Sequence, residues 1–127
     1  MSADGPPRLI DVEDLRYVLR DFAAERDWEQ FHTPKNLATA LTVEASELLE
    51  LFQWLTADQS AEICEDTTQC ARVAAELADV LIYLVRLSDI LGIDLDHAVA
   101  AKLATNAEKY PADRVKGSAA KYTEYQK

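Results

Sequence analysis

Two pairs of acidic residues have the spacing expected of a divalent-metal site. Glu44 and Glu47 are three residues apart in one predicted helix, and Glu76 and Asp79 are three residues apart in another. Side chains at this spacing lie on one helical face, one turn from each other. If the two helices pack antiparallel, the four carboxylates converge, and they then need a cation because unpaired charge is costly to bury. Carboxylate oxygens suit Mg²⁺, with Mn²⁺ as the alternative ion.

The acidic pairs interrupt apolar stretches, and this favours a site over a solvated helix face. Both acids of the second pair stand between Val73-Ala74-Ala75 and Val80-Leu81-Ile82. Exposed helices also carry the Glu-x-x-Glu spacing, so a helical interaction module with solvated acids is an alternative. A di-iron bundle needs Glu-x-x-His pairs, but the only histidines are His32, between helices, and His97, near the start of another helix.

Large aromatic residues near these acids predict a stacking surface for a nucleobase, because an aromatic ring offers a π-face to any base. Tyr83 and Trp54 follow the second acid of each pair by one and by two helical turns. Trp28 and Phe31 fall in a short connection between helices. Large aromatics are more often part of the core, so each of them also has a purely structural interpretation. The candidates for offsetting phosphate charge are Lys102, Asn106, Lys109, Lys116 and Lys121.

Capping residues and hydrophobic spacing predict four helices to position these side chains. The caps are Asp11, Thr33 before Pro34, and Asp94, while Gly92 ends the third helix. The predicted helices cover residues 11–27, 34–55, 69–91 and 95–110. No segment has the alternation of a strand, so we predict an all-α four-helix bundle core with two long antiparallel helices. Residues 1–10 are predicted to form a flexible arm, and residues 11–127 a single domain with a basic C-terminal tail.

The charge balance excludes some classes of function. The chain has 13 Lys and Arg against 23 Asp and Glu, a formal charge of −10. Such a surface repels phosphate backbones, so nucleic-acid binding is disfavoured. No apolar run reaches the ~20 residues of a membrane span, and no secretory signal is present, so we expect a cytoplasmic protein. Cys64 and Cys70 are then expected to be reduced thiols.

Four stretches of this chain resemble the MazG-like all-α nucleoside triphosphate pyrophosphohydrolases, and most of all the dCTP pyrophosphatase branch of that family. They are FAAERDWEQFHTPKNLATAL, VEASELLELFQW, ELADVLIYLV and the run from KLATNAEKYP to KGSAAKYT. Together they cover nearly the whole chain from Leu15 to Thr123. The poorly matched parts are the N-terminal arm and the connection 56–70.

The resemblance implies a function and a set of site residues. The family hydrolyses a nucleoside triphosphate to a monophosphate and pyrophosphate with Mg²⁺, and it assembles as a homotetramer, a dimer of dimers whose sites use more than one subunit. The ligands would be the four acids named above, with Glu47 as the catalytic base. One position departs from the pattern, because the animal enzymes have a substrate-contacting histidine where this chain has Leu19. The residues implied to contact the substrate are Trp28, Glu29, Gln30, Phe31, His32, Trp54, Tyr83, Lys102, Asn106 and Tyr110.

We therefore predict a Mg²⁺-dependent pyrophosphohydrolase acting on dCTP or a modified dCTP, with a role in cleansing the nucleotide pool. The chain has no Gly-rich P-loop, so metal and lysines must handle the phosphates. The alternatives are a related dUTP or phosphoribosyl-ATP pyrophosphohydrolase, which would share the metal site and differ in the base pocket, and the non-catalytic interaction module.

Overall fold

The computed structural model describes residues 11–119, and this part of the chain is helical and contains no strand. The all-α prediction is therefore confirmed. Two short 3₁₀ turns, at Glu29–Phe31 and Ile63–Glu65, lie in the connections before the second and fourth helices. The predicted arm 1–10 and the end of the tail, 120–127 with Lys121, lie outside the described residues. The helices are α1 (Val12–Glu25), α2 (Pro34–Glu50), α3 (Ala57–Ala61), α4 (Thr67–Ile90), α5 (Leu95–Lys109) and α6 (Ala112–Val115).

Side-chain caps fix where the long helices begin. The side chains of Asp11, Thr33 and Asp94 each accept a hydrogen bond from the backbone N–H three residues ahead. A cap of this kind contributes about 1 kcal/mol to a helix. These three predicted helix starts are confirmed. The start of α4 lies two residues earlier than predicted, because Asp66 caps it through the N–H groups of two residues.

The predicted end of α2 is wrong by five residues, since the helix ends at Glu50 and not at Leu55. Residues 51–54 form tight turns, in which Leu51 and Leu55 donate to carbonyls three residues earlier. The next helix explains the early ending. Thr56 caps α3 through a reciprocal capping box with Gln59, and its extended backbone, with ψ at 166°, cannot continue a helix.

Helices α2 and α4 pack antiparallel and form the most extensive helix contact among the described residues. His32, just before α2, contacts Arg86 near the end of α4. Glu44, further along α2, lies beside Glu76, which is earlier in α4. This opposite order confirms the antiparallel arrangement of the two long helices. Helix α1 packs on α4 as well.

Few apolar side chains are buried within the chain. Ala23, Leu37, Val73 and Val85 are the buried hydrophobic residues of the described range. By contrast, many large apolar residues of the long helices are exposed, including Val18 of α1. The protomer therefore leaves extensive apolar surface uncovered.

The structure divides into two compact units at Ile93. The first contains α1 to α4, and the second begins at Asp94 and contains α5 and α6. Between α4 and α5, Gly92 has a φ of 68°, the left-handed conformation predicted for the residue after the helix end. In the described range no helix is both long and apolar enough to cross a bilayer.

The two cysteines differ from our expectation. Cys64 and Cys70 are joined by a disulfide that connects the 3₁₀ turn at Ile63–Glu65 to the first turn of α4. The expectation of reduced thiols came from a general association of thiols with the cytoplasm. The six-residue separation nonetheless brings the two side chains together at the start of α4.

Candidate active site

Three acidic side chains meet where α2 and α4 cross. One carboxylate oxygen from each of Glu44, Glu47 and Glu76 lies within 4.8 Å of the other two. The three-residue spacing places both α2 acids on the face that α4 covers. Oxygen atoms this close can ligate one cation together, because all three carboxylates point into the same small volume.

The electrostatics of this cluster favour the binding of a cation. The Oε2 atoms of Glu44 and Glu76 are buried and accept no hydrogen bond. The pKa of Glu44 is raised from 4.5 to about 7, first by the adjoining carboxyl of Glu76, then by burial and then by Glu47. Buried carboxylate oxygens without a donor are rare in proteins. A divalent cation would satisfy both orphaned oxygens and offset the charge, so the residues fit Mg²⁺.

Asp79 stands at the edge of this cluster. It lies one turn after Glu76 on α4 and is half-buried. Its charge contributes to raising the pKa of Glu44, so it lies close to the three glutamates. Its oxygens are nonetheless not among the group that lies within 4.8 Å. Tyr83, a further turn along α4, is also half-buried.

The connection between α1 and α2 presents aromatic side chains to solvent. Trp28 is 43% exposed and Phe31 is 59% exposed. The ring of Trp28 meets Phe22 edge-on, at 5.7 Å between centroids, and lies 6.4 Å from the ring of His32. Ordered aromatic rings at an exposed connection form a surface on which a flat ring can stack.

Hydrogen bonds hold this connection in place. The amide of Asn36 donates to the carbonyl of Phe31 at 2.9 Å. The amide of Gln30 donates to the carbonyl and the carboxylate of Asp27, so this side chain is used within the connection. Asp27 itself has a φ of 53° and turns the chain after α1. Glu29 is exposed in the 3₁₀ turn.

His32 is anchored to α4 by a buried arginine. Nε of Arg86 donates to Nδ1 of His32 at 3.1 Å. The pKa of His32 is lowered, mainly by burial and then by the charge of Arg86, with Glu29 acting in the opposite direction. The imidazole is therefore favoured in its neutral form.

Behind Arg86 lies an ion network that joins α4 to α1. Asp89 accepts two hydrogen bonds from Arg20, at 2.7 and 2.6 Å, and lies 3.6 Å from Arg86. Arg16 adds a third cation at 3.5 Å. These cations hold the pKa of Asp89 below its ordinary value, chiefly through the hydrogen bonds from Arg20.

Trp54 lies at the other end of α2, beside a separate cleft. It is 87% exposed, and it lines a cleft of about 730 Å³ between the end of α2, α3 and the start of α4. The 17 residues of α2 rise about 25 Å. Trp54 and the connection that carries Trp28 therefore lie at opposite ends of this helix, and a single protomer does not bring them together.

Comparison with known proteins identifies the family. A model of the MazG-like family matches residues 39–125, which is more than half of the chain. This chain belongs to the MazG-like family. The resemblance inferred from the acidic pairs and the aromatic motifs is thus confirmed.

This MazG-like protein has named relatives at substantial identity. It is 47% identical over 113 residues to dCTP pyrophosphatase 1 of Homo sapiens and to that of Rattus norvegicus. The match covers 89% of this chain and 66% of each relative, so the chain spans slightly less than two thirds of their length. A crystal structure of a pyrophosphatase from Archaeoglobus fulgidus has a TM-score of 0.74 and 40% identity. That match covers 85% of this chain and 99% of the other.

The remaining predicted contacts of this MazG-like protein lie in its second compact unit. Lys102 and Asn106 stand one turn apart in α5, and Tyr110 is the residue at its C-terminal end. Lys102 is exposed and Asn106 is half-buried. Their contacts with a substrate stay a prediction.

The residues of the ion network were not predicted from the sequence. Arg86 and Asp89 lie in the apolar second half of α4, and both of these side chains are almost fully buried. The signal that singled out Glu76 and Asp79, a charge within an apolar run, applies equally to Arg86, which stands between Val85 and Leu87. The same reasoning could therefore have identified Arg86 from the sequence.

Proposed function

We propose that this chain is a Mg²⁺-dependent nucleoside triphosphate pyrophosphohydrolase, with dCTP or a modified dCTP as its substrate. The observation that carries the proposal is the carboxylate cluster of α2 and α4, with its two buried and unpartnered oxygens. The names of the relatives in man and rat support the substrate, and the archaeal pyrophosphatase supports the reaction. We propose a role in cleansing the nucleotide pool.

All four acids are proposed metal ligands, and one of them, Glu47, is also the proposed base. Glu44, Glu47, Glu76 and Asp79 would hold Mg²⁺, or Mn²⁺ in its place. When bound, the cation would offset the negative charge of the triphosphate oxygens, including the charge that develops on the oxygens around the α-phosphorus. A carboxylate oxygen of Glu47 takes the proton of the attacking water. The oxygen of this water forms the new bond to the α-phosphorus, and the bond to the pyrophosphate oxygen breaks.

The aromatic residues supply the base pocket, and two subunits are needed to complete it. The rings at Trp28 and Phe31 and the ring of Trp54 lie at opposite ends of α2, so one pocket can use both only if two chains combine. We propose a homotetramer, a dimer of dimers with a four-helix core. The exposed apolar residues Leu49, Leu77 and Leu103, each more than half exposed, supply surface for such contacts.

The other proposed contacts rest on the resemblance to the family. Tyr83, one turn beyond the metal cluster, would pack on the sugar or base, together with Glu29, Gln30 and His32 of the aromatic connection. Lys102, Asn106 and Tyr110 would contact the phosphates from α5. We also propose a cytoplasmic location.

A panel of nucleotides tests this proposal. With Mg²⁺ present, pyrophosphate release should be fastest from dCTP and its 5-methyl or halogenated analogues, and slower from dUTP and dATP. Preference for dUTP or phosphoribosyl-ATP would support the alternative members of the family. If no nucleotide releases pyrophosphate and Mg²⁺ does not change the melting temperature, the remaining hypothesis is a non-catalytic helical interaction module.

A further inference from the structure

The hydrogen bond between Arg86 and His32 determines where the imidazole carries its proton. An arginine Nε is a donor only, so Nδ1 of His32 must accept and cannot carry a proton. A neutral imidazole has one N–H, which is then on Nε2. The bond thus converts a ring with two possible tautomers into one with a single defined donor.

Arg86 is itself held in a fixed position. Its side chain is 6% exposed and lies 3.6 Å from Asp89, which is equally buried. Asp89 is anchored to α1 by two hydrogen bonds from Arg20. Since both ends of this chain of contacts are on packed helices, Arg86 has little freedom to release His32.

The donor that results is available to a ligand. Nε2 of His32 forms no hydrogen bond with any residue in the range 11–119, and it is not among the buried polar atoms that lack a partner. The ring lies 6.4 Å from that of Trp28, at the exposed aromatic connection. A base stacked on this connection would have its edge within reach of the imidazole.

We propose that Arg86 is a positioning residue that fixes His32 as a neutral Nε2–H donor to an acceptor atom on the pyrimidine base of the substrate. The inference rests on the proposed function for the identity of the ligand. It goes beyond that function in two respects: it assigns a role to Arg86, and it specifies that the base pocket donates a hydrogen bond to the base through His32. Uncharged donors suit the carbonyl oxygen of a pyrimidine, whereas a cationic imidazole would also attract phosphate and lose this selectivity.

The charges around His32 agree with this assignment. Arg86 on α4 faces the ring and disfavours its cationic form, while Glu29, in the same connection as His32, acts in the opposite direction. Asp89 lies behind Arg86, and its charge is shared with Arg20 and Arg16 of α1.

The tautomer can be measured in the unmodified protein, without substrate. Two-bond ¹H–¹⁵N correlation spectra of protein with ¹⁵N-labelled histidine distinguish an Nε2–H imidazole from the Nδ1–H tautomer and from the cation. The chain has two histidines, and a His97→Gln variant assigns the signals. At pH 7 we expect His32 to be a single neutral Nε2–H tautomer. An Nδ1–H tautomer, a cation or an equilibrium mixture would overturn the inference.

Kinetics of a matched pair of variants test the role of Arg86. Arg86 and Arg20 both contact Asp89, but only Arg86 contacts His32. Arg86→Met should raise the KM for dCTP about tenfold, the effect of losing one oriented hydrogen bond, with little change in kcat. Arg20→Met should lower thermal stability and leave KM within about twofold. Equal KM values for the two variants would contradict a positioning role.

The two experiments separate this inference from the proposed function. If the protein hydrolyses no nucleotide, the proposed function and the role of Arg86 in base binding both fail, whatever the spectra show. If it hydrolyses dCTP but His32 is not the Nε2–H tautomer, only the present inference fails. Should Arg86→Met not fold, the spectrum of the unmodified protein still decides the orientation of the donor.

Discussion

Glu44 is an acid of the site whose pKa is clearly raised. Its pKa in the folded chain is about 7, against 4.5 for an ordinary glutamate, so the folded protein holds this proton more tightly than the unfolded one. The stabilising contribution is fully present below pH 4.5 and is lost as the pH rises through about 7. In the absence of metal, we therefore expect the melting temperature of the unmodified protein to fall as the pH rises from 4.5 to above 7. The melting temperature of a Glu44→Gln variant should fall less over the same pH range.

The same titration should control magnesium binding. A metal ion binds the deprotonated carboxylate, so it competes with the proton on Glu44. The increase in melting temperature caused by Mg²⁺ should grow between pH 6 and pH 8 and should be lost in Glu44→Gln. An increase that does not change with pH would show that Glu44 does not share its site with the ion.

Glu47 is the residue on which the chemistry is proposed to depend. Replacing it by glutamine keeps the shape of the side chain and removes a proton acceptor and a charged ligand. We expect kcat for dCTP to fall by about 10²- to 10⁴-fold while the circular dichroism spectrum stays unchanged. Glu13→Gln, on the exposed start of α1, is the matched control and should retain its rate. A Glu47→Gln enzyme with more than a tenth of the normal rate would remove this residue from the mechanism.

Individual residues were predictable from sequence where the signal was local. The acidic pairs of α2 and α4 could be identified because three-residue spacing places two side chains on one helical face. The contact between His32 and Arg86 spans 54 positions, and that between Arg20 and Asp89 spans 69. No local pattern encodes such partners, although a buried arginine within an apolar run indicates that some partner must exist.

At the scale of helices, the contact between α1 and α4 depends on Asp89. Its carboxylate is 5% exposed and faces Arg16, Arg20 and Arg86. Asp89→Asn would leave these cations without their counter-charge. We expect the free energy of unfolding to fall by about 3 kcal/mol. This value is the lower end of the range for breaking a buried ion pair, and we choose it because Arg20 stays partly solvated. Urea unfolding followed by tryptophan fluorescence measures this difference.

Two comparisons make the Asp89 prediction specific. Asp21→Asn, at an exposed position of α1, should change stability by no more than about 0.5 kcal/mol. Because the pKa of Asp89 is lowered by its arginines, its contribution is present above the ordinary aspartate pKa of 3.8 and is lost as the pH falls below that value. A stability difference between Asp89→Asn and the unmodified protein that persists undiminished in strong acid would argue against the ion network.

The helices themselves were predictable at their starts more than at their ends. Asp11, Thr33 and Asp94 are strong caps, and each begins a helix as predicted. The end of α2 has neither glycine nor proline to mark it. The end of α2 is instead set by Thr56, which must have an extended backbone to form its capping box with Gln59. Because this capping box belongs to α3, the end of α2 depends on the helix that follows it.

At the scale of the whole molecule, exposed apolar surface predicts association. Leu49 on α2 is 60% exposed and Leu77 on α4 is 53% exposed, although both helices also supply core residues. We expect sedimentation equilibrium to give a mass near four times the 14.2 kDa of one chain. Leu49→Glu should shift this mass toward that of a smaller species, because a charge at an apolar contact is costly.

A control and a functional readout accompany the mass measurement. Glu50→Gln, at an exposed position next to Leu49, should leave the mass unchanged. If the base pocket combines two chains, Leu49→Glu should also lose dCTP hydrolysis, and activity should return at high protein concentration. A protein that sediments as a monomer at micromolar concentration and is fully active would refute the shared site.

The proposed activity depends on a divalent cation held by the carboxylates of α2 and α4. Its most direct test is pyrophosphate release from dCTP by protein stripped of metal with EDTA, measured as Mg²⁺ is added back. We expect no turnover without Mg²⁺, saturable recovery as it is added, and dCMP and pyrophosphate in equal amounts. Turnover at an undiminished rate in the metal-free protein would contradict the account.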